Sequence, residues 1–481
     1  MPPLSPAQAL SGLERILGAQ GLLRSEAPDS AAQLEPYLTD HRRLYQGRAL
    51  AIALPRTVPE VTGLLAFCDE HRIGVVPQGG NTGYCGGATP DESGRQIVVS
   101  LSRLRRVRQL DPLNYSIVAE AGCVLADLQR AADEAQRFFP LSLGSEGTCQ
   151  LGGNLSTNAG GVHVLRYGMM RDLVLGLEVA LADGRLLSSL GTLRKDNTGY
   201  DVKSLFLGAE GTLGIITAAS LKLFPKLRAF ATAFAAVTDP RAAVALLARL
   251  RDASGDRVSS FELIPRIAVD LTVRHIPGIR DPLDAPHPWY VLCELTSSRA
   301  AEPLEDLLEQ SLAAALDEKL VADAAVARNG RDRAAFWKLR ETIPEAQSRD
   351  GGSLKHDVSV PVASIPDFIE QGARWIAANV PDGRLVSYGH VGDGNLHFNL
   401  NQAPGTDRAA FLARAQAVKR AIHDLVRDFG GSFSAEHGIG RLKVAELERY
   451  APPVELDLMR AIKRALDPNG ILNPGKVLRT V

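Results

Sequence analysis

The rhythm of apolar and polar positions changes along the chain, and the changes mark its organisation. Leu10, Leu13, Ile16 and Leu17 recur at helical spacing, so residues 1–49 read as a helical N-terminal segment. From Leu50 the texture shifts. Residues 49–54 form a short apolar run closed by Pro55. Pro59 then falls in the first turn of a helix, where its missing N–H costs nothing, and Val61, Leu64, Leu65 and Cys68 form that helix's buried stripe. Residues 74–77, 96–101, 116–120 and 173–181 read as strands, and 124–136 as an amphipathic helix. Asp183-Gly184 supplies a hairpin turn. Past Pro225, residues 226–430 alternate Ala/Leu/Arg helices with short strands at 289–295 and 384–388. That alternation predicts an antiparallel sheet covered by helices on one face. Residues 431–481 return to Gly-rich loops and one helix over 454–466, ended by Asp467-Pro-Asn-Gly470.

Composition narrows the class. The chain has 481 residues, 45% hydrophobic and 23% charged, which is globular and enough for two or three domains. A net charge of -1 gives no field for nucleic acid or an anionic membrane. No apolar run is long enough for a transmembrane segment. The first residues lack the basic start, apolar core and cleavage site of a secretory signal. The five cysteines occur singly, with no CxxC spacing, so a disulfide framework is disfavoured and a cytoplasmic location is expected.

Three loops carry more Gly, Asn, Ser and Thr than turns require: 77–87, 143–161 and 208–214. Any one of them alone reads more readily as a tight turn. Together they suit an anion held on backbone N–H groups and neutral side-chain donors. GxGxxG with a distant acid and GxxxxGK[ST] are both missing, which disfavours a Rossmann dinucleotide site and a P-loop.

PQGGNTGYCGG, the LGGN and STNAGG run, RYG at 166–168, LRKDNTGYD and LGAEGTLGIIT follow one another in order. From about residue 40 onward the chain resembles the vanillyl-alcohol oxidase/p-cresol methylhydroxylase flavoproteins, and among them the D-2-hydroxyacid dehydrogenases. The resemblance implies an α+β protein: a two-subdomain FAD-binding domain over residues 50–225, a cap over 226–430 and a C-terminal segment over 431–481 that returns to the FAD site. It implies FAD on Pro77, Gly79, Gly80, Asn81, Thr82 and Gly83, with the pyrophosphate at 79–83. The second loop would add Gly144, Ser145, Gly147, Thr148, Gly152, Gly153, Asn154, Thr157, Asn158, Gly160 and Gly161. Glu210, Gly211, Gly214, Ile215, Ile216 and Asn473 complete that expectation. Covalent members carry a His in the first loop; Gly79-Gly-Asn81 stands here, so the FAD is expected to be non-covalent.

The sharpest pattern is Ser387-Tyr-Gly-His-Val-Gly-Asp-Gly-Asn-Leu-His-Phe-Asn399. A two-residue Asp393-Gly394 turn would oppose His390 to His397, with Cβ atoms ~4.5–5.5 Å apart and Asn399 on the same face. Two imidazoles so placed suit a shared metal. Glu436 and His437 stand together in a Gly-rich stretch that permits a bent backbone. In the resembling enzymes the positions matching His390, His397 and Glu436 bind a divalent metal, zinc in expectation, and the position matching His437 is the base. Those matching Arg340, Lys355 and Asn399 contact substrate. The pattern departs at Pro344, where a hydroxyl-bearing Thr is found, and at Phe398, where members preferring glycolate or lactate carry Pro.

The resemblance therefore implies FAD- and metal-dependent oxidation of D-2-hydroxyglutarate or a similar diacid such as D-malate, because Arg340 and Lys355 await a second carboxylate. The alternatives are a D-lactate or glycolate dehydrogenase and a non-catalytic flavin-binding accessory subunit. Electron-transfer flavoprotein or quinone is the implied acceptor class, and the assembly leaves room for a homodimer.

Overall fold

The computed structural model describes residues 4–24 and 30–479. The parts of the N-terminal and C-terminal segments at 1–3, 25–29 and 480–481 lie outside the described residues. The chain divides into two compact units. One comprises Met1–Gly161, Gly168–Lys226 and Glu436–Val481; the other comprises Val162–Tyr167 and Leu227–Ala435.

The first unit contains a four-stranded sheet in the order Leu22–Arg24, Ala51–Ala53, Ile97–Ser100, Val75–Gln78. The last three strands are parallel. The helix Val58–His71 is capped by Thr57 and buries Val61, Leu64, Leu65 and Cys68, the stripe read from the sequence. A separate five-stranded antiparallel sheet runs Val107–Asp111, Ser116–Glu120, Ile215–Lys222, Val174–Ala180, Leu186–Ser189. Its buried carboxylates are matched by cations. Glu120 accepts from Arg106 and Arg108, and Glu178 accepts from Arg108 at 3.0 Å and from Thr217 at 2.8 Å.

The second unit is built on an eight-stranded antiparallel sheet. Its centre runs Ala229–Val237, Trp289–Ser297, Val258–Pro265, Gly383–His390, Asn395–Gln402. Helices cover both faces, not the single face expected. Ala231, Ala233, Ala235 and Val237 pack with the helices Pro240–Ser254 and Leu304–Asp317. Phe234, Ala236, Tyr290 and Leu292 alternate to the other side and meet Ala268, Phe336, Trp337 and Ile343. A sheet covered twice reads as continuous apolar sequence, which is why the strand Ala229–Val237 carries no polar alternation to announce it.

The helix Gly330–Glu341 is stitched to this sheet along one side. Arg333 and Trp337 donate to the buried Glu294, and Arg340 donates to the buried Glu262. These residues recur at i, i+4 and i+7, one face of a helix.

Candidate active site

In the first unit the Gly-rich loops surround a cleft of about 910 Å³, its open mouth included. Of the residues expected at a cofactor, Pro77, Gly79, Gly80, Asn81, Thr82 and Gly83 line it from the first loop. Gly152, Gly153, Asn154 and Thr157 line it from the second, and Glu210, Gly211, Gly214, Ile215 and Ile216 from the third. Gly144, Ser145, Gly147, Thr148, Asn158, Gly160, Gly161 and Asn473 are not on its wall. Several of those have work in the scaffold. A Cβ on Gly161 would meet Ser142 O at 2.1 Å. Asn158 Oδ1 accepts the Arg171 amide at 2.8 Å, and Asn473 Nδ2 donates to Gly87 O and Glu210 O at 2.9 and 2.7 Å. Sequence reasoning missed Tyr84, Cys85, Cys149 and Gln150, which also line the cleft. Gln150 could have been found, since it precedes the helix Leu151–Ser156 that carries the second loop's lining residues.

His437 reaches the same wall. Its ring stands edge-on to Tyr84, with centroids 4.7 Å apart, and its Nε2 lies 3.7 Å from Glu436 Oε1. The following backbone is held by Glu210, whose carboxylate accepts the amides of Ile439 at 2.7 Å and Gly440 at 2.8 Å. Burial pushes the Glu210 carboxyl up; the two amides oppose that. Burial also raises the Tyr84 phenol, helped by Glu436.

In the second unit the hairpin differs from the expected one. Residues Val391–Asp393 form a 3-10 turn, and Gly394 follows at φ 88°. Tyr388, not His390, opposes His397. The register has moved by two residues, and an even shift keeps each side chain on its face. The histidine rings therefore still meet, edge-on with centroids 5.7 Å apart. His390 ends its strand against Glu262 of the strand Val258–Pro265. Its Nδ1 lies 2.5 Å from Glu262 Oε1, while Arg340 Nε donates to Glu262 Oε2 at 2.7 Å. Burial alone would raise the Glu262 carboxyl, but Arg340 and His390 overcome it and hold the group at about 2. Arg340 also lies over the Tyr388 ring at 4.8 Å.

Arg340, expected to contact a substrate carboxylate, thus already donates through Nε to the buried Glu262. Lys355 is exposed in the gap between the strands Ser353–Leu354 and Asp357–Ser359. Asn399 is buried, accepting the His356 amide at 3.0 Å and donating to Gln347 at 3.0 Å. Pro344 occupies the first turn of the helix Ile343–Asp350, and the nearby Thr342 hydroxyl is turned back onto Lys338 O at 2.7 Å. Glu262 was not legible as a site residue, being a single acid in an apolar strand.

Residues 226–477 match the family model described as FAD linked oxidases, C-terminal domain, and 49–189 match one described as FAD binding domain. The chain belongs to the FAD-linked oxidases. This FAD-linked oxidase is 38% identical to the D-2-hydroxyglutarate dehydrogenase, mitochondrial, of Arabidopsis thaliana, over 98% of the chain and 81% of the relative. It is 39% identical to the protein of the same name in Bos taurus, over 98% and 83%. Its fold is that of p-cresol methylhydroxylase, with a TM-score of 0.75 at 17% identity over 98% and 97% of the two chains. The expectation of a cytoplasmic location does not stand against relatives named as mitochondrial proteins. Free, buried cysteines are compatible with any reducing compartment and do not say which.

The cleft fits the flavin that this family binds. Gly83 and Gly153 face it, and a Cβ on either would meet no protein atom within 4 Å. Nothing in the protein demands glycine at those two positions, and a backbone bare of side chain there would let a ligand approach closely. The buried Gln150 Oε1, on the same wall, has no protein partner. Among the described residues no helix is long and apolar enough to cross a membrane.

Proposed function

We propose that this FAD-linked oxidase converts D-2-hydroxyglutarate, or a similar diacid such as D-malate, to the 2-oxo acid. The observation that carries the proposal is kinship with D-2-hydroxyglutarate dehydrogenases over nearly the whole chain. When bound, FAD accepts the hydride from C2, and a divalent metal, zinc by the resemblance, polarises the substrate's hydroxyl and carboxylate oxygens. Residues 79–83 and the glycines of the second loop hold the flavin non-covalently, as Asn81 in place of a linking His suggests. His390, His397 and Glu436 hold the metal. Support comes from the paired rings of His390 and His397 and from the chain itself: Glu436 follows Ala435, whose amide donates to Asp357 O, and Asp357 pairs with His397. His437 takes the hydroxyl proton. Arg340, Lys355 and Asn399 orient the substrate. Residues 50–225 form the flavin domain, 226–430 the substrate domain, and 431–481 return to the flavin. Electron-transfer flavoprotein or a quinone would be the electron acceptor.

Because Glu262 already neutralises Arg340, selectivity for a second carboxylate falls to charged hydrogen bonds and not to a buried charge left bare. Such bonds contribute about 1.5–3 kcal/mol, or roughly ten- to hundredfold in kcat/KM. Anaerobic titration with D-2-hydroxyglutarate, D-malate and D-lactate should bleach the flavin, most efficiently with a diacid. The variant Lys355→Ala should lose diacid efficiency and keep that for lactate. Wild-type preference for lactate would overturn the diacid assignment and leave the flavoenzyme standing.

A further inference from the structure

Glu262 lies outside every motif discussed so far, yet it touches both halves of the proposed substrate machinery in the second unit. One carboxylate oxygen meets His390 Nδ1 and the other meets Arg340 Nε. Its side chain is 1% exposed, so the group is committed to these partners. An ionised carboxylate only accepts, so the hydrogen on the His390 contact resides at Nδ1. Nε2 is then the ring nitrogen with the lone pair, the one a metal requires. The same carboxylate fixes the end of the guanidinium that stacks on Tyr388, whose ring lies 5.0 Å from that of His397. Glu262, Arg340, Tyr388, His397 and His390 thus form a closed circuit of contacts.

We infer that Glu262 is a positioning residue that sets the tautomer and orientation of His390 for metal binding and, through the same carboxylate, fixes Arg340 for the substrate carboxylate. This rests on the assignment of His390 and His397 as metal ligands. Neither role needs Glu262 to touch substrate or metal. A single acid serving both makes metal affinity and anion recognition respond together to one substitution.

Removing the carboxylate alone would leave Arg340 buried without its anion, a change that endangers folding. The test therefore uses the charge-balanced pair Glu262→Leu with Arg340→Met, which removes the acceptor as well as the charge, beside Arg340→Lys alone and His397→Ala, each as the full-length flavoprotein. Cobalt(II) is the probe, read by chelator competition and by its visible spectrum, with FAD content and unfolding midpoint recorded for each variant. The double variant should bind cobalt(II) about 10–100-fold more weakly than wild type, the usual loss when a histidine's outer partner is removed. Its cobalt spectrum should shift, while Arg340→Lys, which keeps a cation beside Glu262 and Glu262 on His390, retains both affinity and spectrum. A merely structural role would lower the unfolding midpoint and leave the spectrum unmoved. If His397→Ala loses cobalt(II) while the double variant binds it as wild type does, the positioning role falls and the metal site stands. If His397→Ala also binds cobalt(II) like wild type, the metal assignment falls and the positioning role falls with it.

Discussion

A methyl group added at Gly153 would meet no protein atom within 4 Å, while one added at Gly80 would meet Thr148 O at 2.2 Å. Both glycines line the same cleft. Their reasons for being glycine differ, and substitution should separate them. Gly153 lies in the helix Leu151–Ser156, where Ala is favoured over Gly by about 1 kcal/mol. The variant Gly153→Ala should keep or raise the unfolding midpoint of the flavin-free protein and lose FAD on gel filtration, because its Cβ enters the flavin's space. Gly80→Ala should lower that midpoint as well, since the first loop must then move off the second. Equal FAD retention in wild type and Gly153→Ala would show that the flavin does not approach that wall. Sequence legibility at this scale was uneven for a physical reason. Glycine-rich loops announce themselves by composition, so most of the cleft's wall could be read from residues 77–83, 152–157 and 210–216. Glu262 stands in an apolar strand with no motif around it, and only folding shows what it faces.

Elements show where local turn chemistry yields to tertiary packing. Asp393-Gly394 suits a two-residue hairpin turn, yet residues Val391–Asp393 coil into a 3-10 turn and the register moves to Tyr388 opposite His397. Gly394 lies where an added Cβ would strike Val360 O at 2.2 Å, so the turn is packed against the residue that follows the strand Asp357–Ser359 as well as bent. Gly394→Ala should cost about 1–3 kcal/mol in denaturant unfolding and weaken the proposed metal site, because the turn sets the spacing of the two histidines. An unchanged unfolding midpoint would mean that the backbone relaxes there without cost. A second element-scale prediction concerns the helix Gly330–Glu341. Arg333→Ala strands Glu294 in the core beside Trp337 and Thr232, and breaking a buried pair from one side costs about 3–5 kcal/mol. Glu294→Gln with Arg333→Met should recover most of that loss. The helix Val58–His71 was readable from its buried stripe and first-turn proline, whereas the doubly covered strand Ala229–Val237 was not.

At the scale of the whole molecule, buried carboxylates held by arginine give folding stability a pH dependence whose direction is fixed. Burial by itself would raise the Glu294 carboxyl, but hydrogen bonds from Arg333 hold it below its ordinary range. The Arg106 contacts do the same for Glu120 in the other unit, and Glu262 sits at about 2. An unfolded Glu titrates near ~4.3. For each group the folded value is therefore the lower, and the unfolded chain binds the proton first. Stability from these pairs is complete above pH ~4.3 and drains away as pH falls through that value toward the folded one, near 2 for Glu262. Glu210 and Asp393 work in the opposite sense, because burial raises their folded values, but they are two groups against several. Urea unfolding from pH 7 down to pH 3 should therefore show a steepening loss below about pH 4.5. The Glu294→Gln, Arg333→Met variant removes one such group without touching the proposed metal ligands, so its acid limb should be shallower than that of wild type. Parallel limbs for the two proteins would mean that Glu294 titrates alike in the folded and unfolded chains. The Arg333 pair would then contribute nothing to acid sensitivity, whatever its geometry.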